Sequence, residues 1–419
     1  MRLKTILNKC CQFKGFVSGN AKFDEKCKSI IVKISPRKNS KPICSSCEKQ
    51  APGYDKLPSR LFEFIPFWGF HVYLEYAMRR VECPRCNAVV VEKVPWADGK
   101  NHLTHYYCKY LASWAKEISW KGVAERFHSS WGTVRRAVEN IVEYGLKHRN
   151  VECVTALGVD EIQWRNGQDY LTLVYQIDET CRRLLWVGEK RTMKTLKQFF
   201  EDFQLLDKTF AEKIEVICSD MWRPYLNVIA DKLPQAINVL DRFHIMQKFS
   251  KALDKVRSGE ARRLKEKGKD PVLSKSRWCF LKRKGNLTDN QSFKLQELLQ
   301  MNLRTVKAYL LKEQFQDFWE YKSPAWAGKF LDTWCRKVMY SKIDPMKDVA
   351  KMLRSHRELI LNYFRAKKQF NSGIVEGLNR KINLTVRKAF GFRSLKIVKT
   401  ALYHQLGKLP EPEFTHEFW

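Results

Sequence analysis

The spacing of apolar positions changes several times along the chain, and each change predicts a different kind of element. Residues 70–76, Phe-His-Val-Tyr-Leu-Glu-Tyr, are aromatic and β-branched and predict a strand. From 102 to 145 apolar positions recur at helical spacing. One amphipathic piece surrounds Val123, Ala124 and Phe127, a second surrounds Val134, Ala137 and Val138, and His128-Ser129-Ser130 separates them. From Val154 the pattern shortens to apolar runs with turn residues between them. Those at 156–160, 170–175 and 183–187 predict three consecutive strands. A helix from about Met193 to Phe203 follows, then a strand over 214–218, a helix over 222–230 and a fifth strand over 236–240. Strands first, then strand and helix in alternation, define an α/β domain. Residues 245–365 carry almost no strand signal. Their aromatic group, Phe315, Phe318, Trp319, Tyr321, Trp326, Phe330 and Trp334, stands at mostly helical spacings and predicts an all-α insertion. An amphipathic helix over 372–388, with Ser372 as its N-cap, closes the pattern.

Charge then narrows what these elements serve. The 419 residues hold 77 Lys+Arg against 45 Asp+Glu, a net charge of +32, with 44% hydrophobic and 13% aromatic residues. There is material for real cores and an excess of cations suited to a polyanion, whose condensed counterions are released on binding. The excess is uneven. Residues 1–150 carry 27 basic and 13 acidic side chains and residues 246–290 carry 14 and 5, whereas residues 151–243 carry 12 and 15. A mildly acidic stretch between basic arms fits a metal-binding centre between DNA-holding surfaces. No apolar run is long enough for a membrane span, and the basic N-terminus lacks the apolar core of a signal peptide. Thirteen cysteines in such a chain point to a reducing, cytoplasmic setting, where pairs at ligand spacing read as metal sites before disulfides.

Two such pairs are present: Cys44/Cys47 and Cys83/Cys86, with 35 residues between them. Two CxxC turns supply the four thiolates of a structural zinc site and leave no open position for catalysis. The segment from Ile118 to Val138 fits a helix-turn-helix. Ala124 is small where two helices must approach, and Trp131, Thr133, Arg135 and Arg136 open the second helix, where they can reach phosphates and base edges of duplex DNA. An ordinary helical hairpin is the plainer reading of that segment.

Asp160 closes the first predicted strand of the α/β domain and Asp220 follows the fourth. Either alone is most often a turn or cap residue. If the first and fourth strands are neighbours in a mixed sheet, however, the two carboxylates emerge side by side. They would then suit hard Mg²⁺ (or Mn²⁺) and the two-ion chemistry of phosphodiester attack. A third carboxylate, Glu376, lies on the last helix beside an apolar stripe of Ile374, Leu378 and Ile382. Glu376, Arg380, Asn383 and Arg387 share a polar, mainly cationic face. The plainer reading of Glu376 is a surface ion pair with Arg380 at i, i+4.

The motifs GVDEI at 158–162, SDMWRPY at 219–225, LDRFH at 240–244 and SGIVEGLNRKI at 372–382, together with the cysteine pairs, resemble the ISL3 family of bacterial insertion-sequence transposases over nearly the whole chain. That resemblance implies an RNase H-like core whose DDE triad falls on Asp160, Asp220 and Glu376, with the helical insertion placed before the final Glu. It makes Asp241, with Arg242 and His244, a supporting group. The organisation expected is therefore a multidomain α/β protein. A basic lead-in covers 1–36, a four-cysteine zinc-binding module 37–98 and a helix-turn-helix 99–150. The first part of the core covers 151–244, the helical insertion 245–365, the closing core helix 366–406 and a tail 407–419. The expected activity is binding of the element's terminal inverted repeats, Mg-dependent end cleavage and strand transfer into target DNA. Two ends imply at least a homodimer on DNA, associated with the nucleoid while bound. The alternative is a non-enzymatic zinc and helix-turn-helix regulator derived from a transposase.

Overall fold

The computed structural model describes residues 3–10, 13–165, 169–367, 372–389 and 391–412. Two compact units result, one of residues 1–149 with 384–419, the other of residues 150–383.

The first unit opens with helix α1 (Leu3–Cys10) and strands β1 (Phe16–Asp24), β2 (Ser29–Pro36), β3 (Gly53–Phe67), β4 (Phe70–Cys83) and β5 (Ala88–Val91). They form one sheet in the order β1-β2-β4-β3, with β5 on β4. The lead-in expected over 1–36 is thereby corrected. β1 and β2 are an antiparallel pair, and β2 runs parallel to β4. Ile30, Val32 and Ile34 point inward while Lys33 faces solvent, so an ordinary period-two strand was hidden by lysine-rich composition. The strand expected over 70–76 continues to Cys83, because Val72, Leu74, Tyr76, Met78, Val81 and Cys83 all face the core. Buried Trp96 anchors that core, with Phe13, Phe16, Phe62 and Tyr76 around it at ring distances of 4.9–5.9 Å.

Three helices follow: α2 (His105–Glu117), α3 (Trp120–Arg126) and α4 (Trp131–His148). Thr104, Ser119 and Ser130 cap them, each side chain accepting a backbone N–H of the first turn. The two amphipathic pieces read from sequence are α3 and α4, and α2 precedes them. His128 in the joining turn adopts a left-handed φ of 48°.

The second unit begins with β6 (Ala156–Gln163), β7 (Tyr170–Ile177), β8 (Arg182–Glu189), α5 (Met193–Leu206), β9 (Val216–Ser219), α6 (Arg223–Lys232) and β10 (Ile237–Leu240). The sheet order is β10-β9-β6-β7-β8. β6, β7 and β8 are antiparallel neighbours, β9 is parallel to β6, and β10 is parallel to β9. Leu157, Val159 and Val174 pack beneath Phe199, Phe200 and Phe203 of α5 and Tyr225 and Val228 of α6. Strand alternation puts Gly158 and Asp160 on the opposite face. Asp160 does not end its strand as expected. β6 continues to Gln163, paired with β7 as far as Tyr170.

Helices α7 (Arg242–Glu266), α8 (Arg277–Leu281), α9 (Asp289–Leu299), α10 (Arg304–Gln316), α11 (Pro324–Met339), α12 (Asp344–Ser355) and α13 (Arg357–Arg365) occupy the all-α stretch expected as an insertion. Its core is aromatic: Phe315 lies 4.6 Å from Phe249 and 4.9 Å from Trp334, and Phe318 lies 5.1 Å from Phe364. Trp326 is 60% exposed and belongs to the outer face of α11.

Helix α14 (Ser372–Lys388) returns to the sheet. Ser372, expected as its cap, is instead its first residue, and the Ser372 side chain lies outside the described residues. Leu378 and Ile382 are buried as expected, but the stripe opens on Val375 rather than on Ile374, which is half-buried. Gly158 permits this seating. A Cβ built there would lie 2.7 Å from Val375 Cγ2 and 3.2 Å from Ile177 Cγ2. Gly158→Ala should therefore destabilise the unit by about 1–3 kcal/mol through overpacking. The check is the denaturant midpoint, and an unchanged midpoint would show that the helix yields freely.

Helix α15 (Leu395–Leu406) completes the first unit, where Gln405 Nε2 donates to the Lys116 carbonyl at 2.8 Å. In the expected tail, Glu411 pairs with Lys116 at 2.7 Å, and residues 413–419 lie outside the described residues. His404 is buried in α15, and burial, aided by Lys116, holds its pKa down to about 3 from 6.5. Between those values the unfolded chain binds a proton that the folded chain refuses, so stability falls as pH drops below about 6.5. His404→Leu should flatten the loss of melting temperature between about pH 7 and about pH 5. Parallel melting curves for wild type and variant would contradict this.

Candidate active site and cysteine metal centre

The register of three adjacent parallel strands sets the geometry of the acidic site. Gly158 pairs with Cys218 and Ser219 with Leu240. Asp160 and Asp220 each lie two residues beyond the first of these pairs, and Asp241 follows Leu240, so all three carboxylates stand at one level of the sheet. His244, on the first turn of α7, lies among them. Its ring nitrogens are 3.6 Å from Asp241, 3.7 Å from Asp220 and 4.0 Å from Asp160. Asp241 also caps α7, accepting the Phe243 N–H at 2.6 Å.

Burial raises the pKa of Asp160, and it pushes Glu161 up to about 7 against the pull of Arg191. Gathering carboxylates out of water is unfavourable unless cations share the site. The chain supplies Arg191, whose Nε lies 2.6 Å from Glu161 and whose Nη2 lies 3.5 Å from Asp220. The Arg191 guanidinium also stacks on Trp222 at 4.5 Å. Arg242 goes elsewhere, over the ring of Trp319 at 4.9 Å. Sequence reasoning missed Arg191 because nothing in the turn after β8 distinguishes it from the chain's many other cations.

Glu376 is on α14, and its carboxylate accepts from Arg380 Nη2 at 2.7 Å, with Arg380 exposed and Glu376 half-buried. This is the i, i+4 pair that the spacing alone suggested. Asp160, Asp220 and Glu376 do not converge as a ligand set. Among the described residues, only the four cysteines bring three or more candidate ligand atoms within 4.8 Å of one another. The same helix nevertheless reaches Asp160 one turn later, where Asn379 Nδ2 donates to Asp160 Oδ2 at 2.5 Å. This was a second residue unseen in the sequence.

Cys44 and Cys83 are buried, Cys47 and Cys86 half-buried. Sulfur–sulfur distances are 3.9 Å for Cys44–Cys86 and 3.6 Å for Cys47–Cys83. Each pair is followed by a residue of left-handed φ, Glu48 at 58° and Asn87 at 47°, which closes the turn around the thiols. The Cys47 backbone N–H leads in drawing Cys44 down to about 6, while hydrogen bonds with Cys47 and Cys83 push Cys86 up to about 12. Without a cation the cluster shares protons unevenly. Four thiolates at this spacing fit a tetrahedral zinc ion.

At the start of α4, Trp131 and Arg136 are exposed, while the Arg135 guanidinium lies 5.9 Å from the Trp131 ring and Nη1 lies 3.9 Å from Glu139. Thr133 is engaged locally, its hydroxyl 2.9 Å from Ser130 Oγ. Arg380 and Arg387 are exposed on α14.

Carboxylates at one level of a mixed sheet, with a separate cysteine cluster whose spacing fits a metal ion, define the class as an α/β protein with two candidate sites. Residues 157–402 match a family model described as Transposase, of the ISL3 type. The chain belongs to the ISL3 family of insertion-sequence transposases. It is 27% identical to the transposase for insertion sequence element IS1001 of Bordetella parapertussis over 353 residues, 84% of this chain and 85% of that one. It is also 27% identical over 394 residues to the transposase for IS1557 of Mycobacterium tuberculosis, covering 87% and 86%. Among solved structures, the Drosophila P element transposase strand transfer complex aligns with 72% of this chain and 92% of its own at TM-score 0.39 and 9% identity, too low a likeness to bear on the fold. No helix among the described residues is long and apolar enough to cross a membrane.

Proposed function

We propose that this transposase cleaves DNA at the ends of its insertion sequence and joins the freed 3′-hydroxyls to target DNA, using Asp160, Asp220 and Glu376. The observation that carries this reading is the level placement of Asp160 and Asp220 on adjacent parallel strands, with the Glu376 helix tied to Asp160 through Asn379. Three antiparallel strands followed by two parallel ones, in the order seen, support an RNase H-like core. The donor set is carboxylate oxygen and fits Mg²⁺ or Mn²⁺. Held there, such ions lower the pKa of an attacking water or hydroxyl and stabilise the leaving oxygen. Asp160 and Asp220 would hold the ions, with Glu376 as the third ligand once freed from Arg380. Arg191 balances the carboxylate charge, and His244 and Arg191 orient Asp220, with Asp241 fixing His244. Arg380 and Arg387 take the DNA backbone.

In the first unit, Cys44, Cys47, Cys83 and Cys86 hold zinc, and α3 and α4 act as a helix-turn-helix on the terminal repeats, with Trp131, Arg135 and Arg136 toward DNA. Thr133, drawn into the cap, contributes through the helix N-terminus rather than its hydroxyl. Two ends require at least two copies on DNA. The Glu376–Arg380 pair is the observation that favours a second reading, a DNA-binding regulator without chemistry.

Incubating the full chain with Mg²⁺ and duplex carrying the element's ends separates the two. Cleavage with a free 3′-hydroxyl, and joining to a target plasmid, is expected. End binding without product in either Mg²⁺ or Mn²⁺ would establish the regulator, and preferential cutting of RNA would replace both.

A further inference from the structure

Asn379 lies three residues beyond Glu376, about 4.5 Å along the helix axis, and its side chain joins α14 to the sheet. The Tyr175 hydroxyl donates to Asn379 Oδ1 at 2.6 Å. Tyr175 is fully buried in β7, directly across from Gly158. An amide whose oxygen is so held must turn its NH₂ the other way, and Nδ2 donates to Asp160 Oδ2. The other oxygen, Oδ1, accepts the Glu161 N–H at 2.7 Å. Both oxygens of Asp160 are thus fixed, one by its own strand and one by the helix that carries Glu376.

The contact is in register. Gly158 and Asp160 share a face of β6, Val375 and Asn379 share a face of α14, and the first of each pair meet where a Cβ on Gly158 would not fit. The residue type matters as well. A lysine or arginine at 379 would neutralise Asp160 and compete with a cation, and a carboxylate would repel it. A neutral amide orients the carboxylate and leaves its charge free.

We infer that Asn379, held by Tyr175, is a positioning residue that fixes the carboxylate of Asp160 and the register of Glu376 against it, and thereby sets the site's affinity for divalent cations. The inference rests on reading Asp160 as a cation ligand.

The test is Mn²⁺ binding to the zinc-loaded full chain, followed by the electron paramagnetic resonance signal of free Mn²⁺, alongside end cleavage. Asn379→Leu should weaken Mn²⁺ binding about 10–100-fold, the range for a residue that orients a metal ligand. End binding should persist, and high Mn²⁺ should restore cleavage, which no purely structural defect would allow. Tyr175→Phe should shift Mn²⁺ affinity in the same direction by less, and the double variant should be no worse than Asn379→Leu. Unchanged Mn²⁺ affinity in Asn379→Leu, with affinity lost in Asp160→Asn, would overturn the inference and leave the site reading intact. Wild-type affinity in Asp160→Asn would overturn both. If Asn379→Leu does not fold, Tyr175→Phe decides, and wild-type affinity there overturns the inference.

Discussion

Asp160→Ala, Asp220→Ala and Glu376→Ala should each reduce end cleavage and strand transfer by more than about 100-fold, beyond what loss of a merely supporting residue costs, while end binding persists. The three do not stand on equal geometry. Asp160 and Asp220 are fixed by strand register, and their side chains meet the same imidazole. Glu376 is turned to Arg380, and its case rests on the family pattern and on the contact its helix makes through Asn379. Glu376→Ala is therefore the sharpest variant. Full activity would remove Glu376 from the site and move attention to Asp241, already at the right level of the sheet. Asp241→Ala would also remove a helix cap, worth about 1 kcal/mol, so its melting temperature must be read beside its activity. Quantifying 3′-hydroxyl product on denaturing gels, with binding followed separately, distinguishes these outcomes.

Cys83→Ser should have the other large effect. Structural zinc sites contribute on the order of 10 kcal/mol to folding, and here the cluster closes a small core of Cys44, Ala51, Val81 and Cys83. Cys83 ends β4 and pairs with Ala88 of β5, while Cys44 bridges to Glu92. Loss of the ion should release this corner while the Trp96 core above it persists. Bound zinc should fall from one ion per chain toward none. Protease sensitivity should appear between residues 44 and 92, and end recognition should weaken. A chelator should do the same to the wild-type chain. Zinc content unchanged in Cys83→Ser would refute the site.

Much of this was legible in the sequence because it is local. Short apolar runs announced the strands of the second unit, and CxxC spacing announced the cysteine cluster. The strands of 16–36 were missed because Lys22, Lys26, Lys28 and Lys33 gave the stretch a basic look that masked a buried Ile30, Val32, Ile34 face. Asp160 was placed at a strand end because apolarity stops there, whereas backbone pairing with β7 continues to Gln163. Of the partners of the site, Asp241 and His244 came with the family resemblance, whereas the others were not legible. Arg191, Tyr175 and Asn379 lie far from Asp160 in sequence, and only folding sets them beside it or its neighbours. A side chain's neighbours across a sheet are not encoded in its own segment.

The first unit is assembled from the two ends of the chain, residues 1–149 and 384 onward. Its α15 backs the carbonyls that end α2, through Gln405 and the Ala115 and Lys116 oxygens. During synthesis the amino-terminal part must therefore wait for more than two hundred intervening residues, on the order of ten to fifty seconds at ordinary ribosome speeds. A transcript cut short before α15 yields a polypeptide whose amino-terminal unit lacks its last helix, and such fragments are expected to be poor competitors for the element's ends.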